Sequence, residues 1–141
     1  MILRVKKLHP EAVVPAYAHP GDAGMDLFAL EDTVVAAGQL TDVRTGIAME
    51  IPEGHAGLIW DKSGLAIRER LKVVGGVIDA SYRGEIRVGI TNLGNKDYKF
   101  EKGHKVAQML IQKVEAPSIE ESLEELSQTK RGHGRFGSTG K

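Results

Sequence analysis

Apolar and polar residues alternate along this chain in short runs with a period of two. IAMEI sets Ile47, Met49 and Ile51 on one side, EIRVGIT does the same with Ile86, Val88 and Ile90, DYKF with Tyr98 and Phe100, and KVAQMLIQKV extends the pattern over residues 105 to 114. Side chains of a strand alternate between its faces, so each run predicts a strand with one face buried. Turn signals separate the runs: Pro20-Gly21-Asp22, Ala37-Gly38, Pro52-Glu53-Gly54, Gly75-Gly76, Leu93-Gly94-Asn95 and Lys102-Gly103. Many short strands cut by frequent turns predict an all-β barrel or sandwich. One amphipathic helix is expected from Ser118 to about Gln128, with Ile119, Leu123 and Leu126 on one face and Glu121 set to close a capping box with Ser118. WDKSGLA, residues 60 to 66, reads as a strand handing over to a short helical turn. The predicted organisation is a β-domain over residues 1–130 and a glycine-rich arm over residues 131–141, without an internal repeat.

Composition narrows the function. A chain of 141 residues supports one core. Lys and Arg number 19 and Asp and Glu number 19, so no overall field draws the protein to nucleic acid or to a membrane surface, and neither is expected as a partner. The absence of cysteine removes disulfides, thiolate catalysis and Cys-based zinc sites. The histidines, His9, His19, His55, His104 and His133, show no metal-ligand spacing. No apolar run approaches the roughly 20 residues of a membrane span, and the opening MILRVKKLHPE is too charged for a signal peptide, so a cytoplasmic protein is expected.

Five segments carry candidate chemistry. In GGVIDASYRGEI, residues 75 to 86, two glycines allow close backbone approach, and Asp79 and Tyr82 flank a turn. This is either a plain surface hairpin or a slot whose backbone groups read the edge of a planar ligand. In DKSGLA, Lys62, the Ser63 hydroxyl and the amides of Gly64 and Leu65 can hold a phosphate, or Ser63 caps its own turn. A nucleophilic serine is disfavoured, because no Gly-x-Ser-x-Gly elbow surrounds it. In AGMDLFA, Asp26 lies among apolar neighbours and is either hydrogen-bonded locally or aimed at a cation. KGHKVAQMLI offers Gln108 within an apolar strand. The tail RGHGRFGSTGK spells G-x-G-x-x-G, yet no helix follows the glycines to face a phosphate, so a dinucleotide site is not expected there.

Taken in order, AGMDLFA, DKSGLA, GGVIDASYRGEI, KGHKVAQMLI and RGHGRFGSTG resemble the five motifs of the trimeric deoxyuridine triphosphate pyrophosphatases, the dUTPases, over residues 23 to 140. The resemblance implies an all-β jelly-roll-like barrel assembled as a homotrimer with shared active sites, so the expected fold is a jelly-roll-like β-barrel or sandwich to which the residues add one short helix and a flexible glycine-rich C-terminal arm. It implies hydrolysis of dUTP to dUMP and pyrophosphate, by magnesium-assisted attack of water on the α-phosphorus, which limits uracil incorporation into DNA and supplies dUMP. Backbone at Gly76, Val77 and Ile78 would read uracil, Asp79 would orient the attacking water, and Tyr82 would pack on the deoxyribose. Lys62, Ser63, Gly64, Leu65 and Gln108 would hold the phosphates, and Asp26 would act on Mg²⁺ through its waters. In the arm, Arg135 would meet the terminal phosphates and Phe136 the uracil, while Gly137, Ser138 and Thr139 wrap the phosphates. The chain departs from the family pattern where Lys62 replaces an arginine and where His104 and Lys105 replace an acidic-arginine pair. A dCTP deaminase of the same fold and a non-catalytic trimeric nucleotide binder are the alternatives.

Overall fold

The computed structural model describes residues 1–135. Its strands run β1 Arg4–Lys7, β2 Met25–Phe28, β3 Thr33–Val35, β4 Leu40–Arg44, β5 Ile47–Glu50, β6 His55–Trp60, β7 Leu71–Val74, β8 Val77–Ile78, β9 Arg87–Asn92, β10 Tyr98–Phe100 and β11 Lys105–Lys113. One short helix, α1 Ser63–Arg68, lies between β6 and β7. The strands form a four-stranded sheet β2-β11-β6-β8, a three-stranded sheet β4-β9-β7, and the pairs β1-β5 and β3-β10, every pairing antiparallel. The architecture is all-β, as the alternation predicts, and matches the jelly-roll-like barrel that the resemblance implies.

Period-two patterning builds the core. Val88, Ile90 and Asn92 of β9 point inward, and Val43, Val35, Phe100 and Met109 meet them from neighbouring strands. A β-bulge between Lys105 and Ala107 breaks the alternation of β11, so that Val106 and Ala107 are both buried before Gln108 turns to the opposite side. Asn92 is enclosed but satisfied, because its Nδ2 donates to the carbonyls of Val35 and Lys96 and its Oδ1 accepts from Gly94 N–H.

The expected helix from Ser118 to Gln128 is absent. Residues 114–135 contain no helix or strand, and Ile119, Leu123 and Leu126 are 99%, 94% and 81% exposed. An eleven-residue helix is marginal in water unless its apolar stripe packs on something, and among the described residues no element covers that stripe. The helix that does form is the turn at Ser63.

Arg70 ends the α1 connection with φ 58°, the only non-glycine residue at positive φ among the described residues. It follows the C-cap Glu69, the position at which glycine normally stops a helix. Arg70→Gly removes a steric cost of about 1–2 kcal/mol and adds chain entropy worth about 0.5–1 kcal/mol to the unfolded state. The net expectation is a gain of up to about 1 kcal/mol, seen as a rise in Tm of about 1–3 °C at fixed protein concentration. A lowered Tm would show that the arginine side chain holds the turn.

Candidate functional site

Two clefts carry the candidate residues. The first forms where β6 ends and the chain turns into α1. Lys62 is the extended N-cap residue, with φ −82° and ψ 127°, and the first intrahelical bond runs from Ala66 N–H to the Lys62 carbonyl. The amides of Ser63, Gly64 and Leu65 therefore have no partner within the helix. No side-chain hydrogen bond caps α1, so Ser63 is not the helix cap that its sequence context allowed. Its hydroxyl is exposed on a cleft of about 390 Å³, lined also by Lys62, Gly64, Leu65, Lys105 and Gln108.

β2 and β11 pair Asp26 with Gln108 directly across the sheet. Asp26 is 3% exposed, and its two carboxylate oxygens are divided between two cations: Oδ1 accepts from Lys62 Nζ, and Oδ2 lies 2.7 Å from Lys105 Nζ. The two departures from the family pattern thus converge on one carboxylate. Each lysine, a point charge, takes one oxygen, where an arginine fork would span both. Lys105 is a cation of the cleft that the sequence reading left without a role, while His104 belongs to a local turn, its Nδ1 accepting from Glu101 N–H at 3.1 Å. Gln108 Nε2 donates to the Asp61 carbonyl at 2.8 Å.

Burial alone would raise the Asp26 pKa, but hydrogen bonds from Lys105 and Lys62, together with their charges, outweigh it and hold the carboxyl below its usual range. A depressed folded-state pKa contributes stability above the unfolded value of about 3.9, and that contribution is lost as pH falls through the folded value. Asp26→Asn should therefore destabilise the protein at neutral pH by about 1–3 kcal/mol, since two lysines lose a shared partner. It should also flatten the decline in stability between about pH 5 and 3. Denaturant melts across pH check this, and an acid limb unchanged in Asp26→Asn would show that the network does not stabilise the fold.

Among the described residues, no group of three or more His, Cys, Asp or Glu side chains could hold a metal ion. A divalent cation fits this corner in one way. Mg²⁺ prefers hard oxygen donors, keeps several waters and relies on substrate phosphates. The donor chemistry here is the Asp26 carboxylate and the side-chain oxygen of Gln108, which abuts Gly24, where an added Cβ would lie 2.6 Å from it. Both oxygens of Asp26 already face lysines, so contact through water is the arrangement the residues allow.

The second cleft belongs to the segment after β7. Gly75, at φ 65°, swings the chain out of the three-stranded sheet and into β8, the edge strand of the four-stranded one. The Gly76 carbonyl accepts from Ile59 N–H at 2.7 Å, which leaves no room for a side chain: a Cβ on Gly76 would fall on the Ile59 carbonyl oxygen. Because β8 ends the sheet, backbone groups on its outer side have no strand partner among the described residues, as an edge reader requires. A turn then closes with Tyr82 N–H donating to the Asp79 carbonyl at 3.1 Å, and Arg83 Nη1 clamps it through the carbonyls of Ala80 and Tyr82. Tyr82 Oη donates to the Glu85 carbonyl at 3.0 Å. Asp79 is exposed on a groove of about 210 Å³ lined also by Val77, Ile78 and Tyr82.

The clefts share no lining residue: Lys62, Ser63, Gly64, Leu65 and Gln108 line the first, where Lys62 also pairs with Asp26, and Asp79 lines the second. Arg135 is exposed and is the last described residue; Phe136, Gly137, Ser138 and Thr139 lie outside the described residues. No helix among the described residues is long and apolar enough to cross a membrane.

A cationic cleft at the start of α1 and an edge-strand groove at β8 thus lie on one all-β scaffold. The dUTPase family model matches residues 10–140. A deoxyuridine 5'-triphosphate nucleotidohydrolase of Clostridioides difficile is 43% identical over 140 residues, 98% of this chain and 97% of the relative. Its counterpart in Corynebacterium glutamicum is 47% identical over 142 residues, 99% of this chain and 95% of the relative. Among solved structures, a Staphylococcus bacteriophage 80alpha dUTPase with dUPNHPP superposes with a TM-score of 0.91 at 30% identity, covering 99% of this chain and 98% of that one. A mutant dUTPase from phage phi11 of S. aureus, solved for the coordination of a structural Mg(II) ion, gives a TM-score of 0.82 at 27% identity, covering 88% of this chain and 98% of that one. The chain belongs to the dUTPase family, which sets aside the deaminase and the non-catalytic binder.

Proposed function

We propose that this chain hydrolyses dUTP at a site that no single subunit completes. Hydrolysis of dUTP to dUMP and pyrophosphate belongs to it as a dUTPase. The observation that carries the divided site is the separation of the two clefts. The Asp79 groove, at about 210 Å³, is smaller than the roughly 300–1,000 Å³ of ordinary ligand sites, and Asp79 does not line the cationic cleft, whose lining carboxylate is Glu69. A homotrimer that sets the Asp79 groove of one subunit against the cationic cleft of its neighbour joins them.

In that assembly the outer backbone of Gly76, Val77 and Ile78 reads the uracil edge. Cytosine presents a donor where uracil presents an acceptor, and the 5-methyl of thymine collides with a hairpin whose backbone is pinned to Ile59. Tyr82, held by Glu85, packs on the deoxyribose and leaves no room for a 2′-hydroxyl. The Ser63 hydroxyl, the amides of Gly64 and Leu65, Lys62 and Gln108 hold the phosphates, with Lys105 as a second cation behind them. Asp79 orients a water and takes its proton as the water oxygen attacks the α-phosphorus. The bond to the bridging oxygen breaks, and pyrophosphate leaves with the electron pair. Asp26 would hold magnesium through its waters, and the metal would supply charge neutralisation in the transition state. A carboxylate is a weak base, but it suffices where positioning and electrostatics carry much of the rate. Arg135, Phe136, Gly137, Ser138 and Thr139 close over the bound nucleotide and exclude water.

Pyrophosphate release measured against dUTP, dTTP, dCTP and UTP, with the mass of the active species determined by light scattering, tests this reading. Turnover confined to dUTP by a trimer supports it. Full activity from a monomer would remove the divided site.

A further inference from the structure

The mechanism gives Asp61 no part, yet Asp61 controls the connection that carries the phosphate-holding residues. α1 has six residues, none of them buried, and no side-chain cap, and within the α1 segment Leu65 is the apolar residue that packs partly against the core. So short a helix has little stability of its own, and its position must be set from outside. At the neck of the connection, the Asp61 carboxylate joins its two ends: Val73 N–H donates to Oδ1 at 2.6 Å and Lys72 Nζ to Oδ2 at 2.8 Å. The carbonyl of the same residue accepts from Gln108 Nε2. A carbonyl can only accept, so this bond fixes which end of the Gln108 amide faces Gly24.

We infer that Asp61 is a positioning residue for triphosphate binding, closing the loop from Lys62 to Lys72 and setting the orientation of Gln108. This rests on the reading of that loop as the phosphate half of the site. The two carboxylate bonds are unequal. The Val73 bond is partly buried and goes to the backbone, whereas Lys72 is half exposed, and such ion pairs contribute little.

The test compares Asp61→Ala and Asp61→Asn with the parent, measuring kcat and KM for dUTP, inhibition by a non-hydrolysable imido analogue of dUTP, and inhibition by deoxyuridine, which lacks phosphates. Asp61→Ala should weaken the triphosphate analogue and raise KM by about 10- to 100-fold, the effect of losing a charge-assisted hydrogen bond. Deoxyuridine inhibition should stay within about twofold, because the backbone of β8 is untouched. Asp61→Asn keeps an oxygen for Val73 N–H and should recover to within about threefold of the parent. Should Asp61→Ala not fold, Asp61→Glu, which moves the acceptor by one methylene, carries the same expectation at reduced size. Parental binding in Asp61→Ala, or equal loss of triphosphate and deoxyuridine, overturns the inference. Absence of dUTP hydrolysis in the parent would instead overturn the functional reading beneath it.

Discussion

Asp79→Asn should fold, assemble and bind dUTP as the parent does, with kcat lower by about 10²–10⁴, the range for loss of a positioned general base. The substitution is nearly isosteric, and the Asp79 turn is built from backbone: Tyr82 N–H bonds to the Asp79 carbonyl, and Arg83 caps the following carbonyls. None of these bonds uses the carboxylate. Asp79 is exposed, so an amide in its place buries no unpaired polar group. Binding isotherms and single-turnover rates separate the two effects. A variant that turns over within a few-fold of the parent would exclude Asp79 as the group acting on water.

Gly76→Ala should fail differently, through KM. An added methyl at Gly76 meets the Ile59 carbonyl, a backbone atom that cannot step aside without parting β6 from β8. The edge that reads the base would shift, and overpacking of this kind costs about 1–3 kcal/mol of stability. Base recognition depends on that backbone, so kcat/KM should drop on the order of 10²-fold. Gly75→Ala is the matched control. Its left-handed φ makes a side chain strained, but no atom lies within 4 Å of the added Cβ, so it should lose about 1 kcal/mol of stability and little specificity. Equal damage from both changes would mean that general strain, not the Ile59 contact, governs the hairpin.

The strands at Ile47, Arg87, Tyr98 and Lys105 were legible because alternation is a local signal that burial enforces. The Ser118 helix does not form for the complementary reason: its pattern is sound, but among the described residues no surface accepts its apolar face. The bulge near Val106 was invisible, since two adjacent buried residues look the same as a break in pattern. The candidate residues were found from motif resemblance, but their grouping was not. Lys62 and Lys105 lie 36 and 79 positions from Asp26, and only the pairing of β11 with both β2 and β6 shows that two separate departures share one partner. The role of Asp61 was hidden in the same way, because its hydrogen bonds reach β7 and β11. The separation of the Asp79 groove from the cationic cleft follows from the antiparallel register of β6 and β8, which sets Ile78 opposite Gly57 and carries Asp79 away from the Trp60 end where the cleft lies, a fact of topology that no local spacing encodes.

The divided site is tested most directly by mixing two defective proteins. Asp79→Asn keeps a parental cationic cleft, and the Ser63→Ala, Gln108→Ala double variant keeps a parental hairpin. After unfolding and refolding together in equal amounts, random assortment gives roughly one site in four both halves in parental form, if each site draws one half from each of two subunits. The mixture should then hydrolyse dUTP at roughly a quarter of the parental rate, well above either variant alone. A mixture no more active than the sum of its separate components would contradict the account and place both halves of the site in one chain.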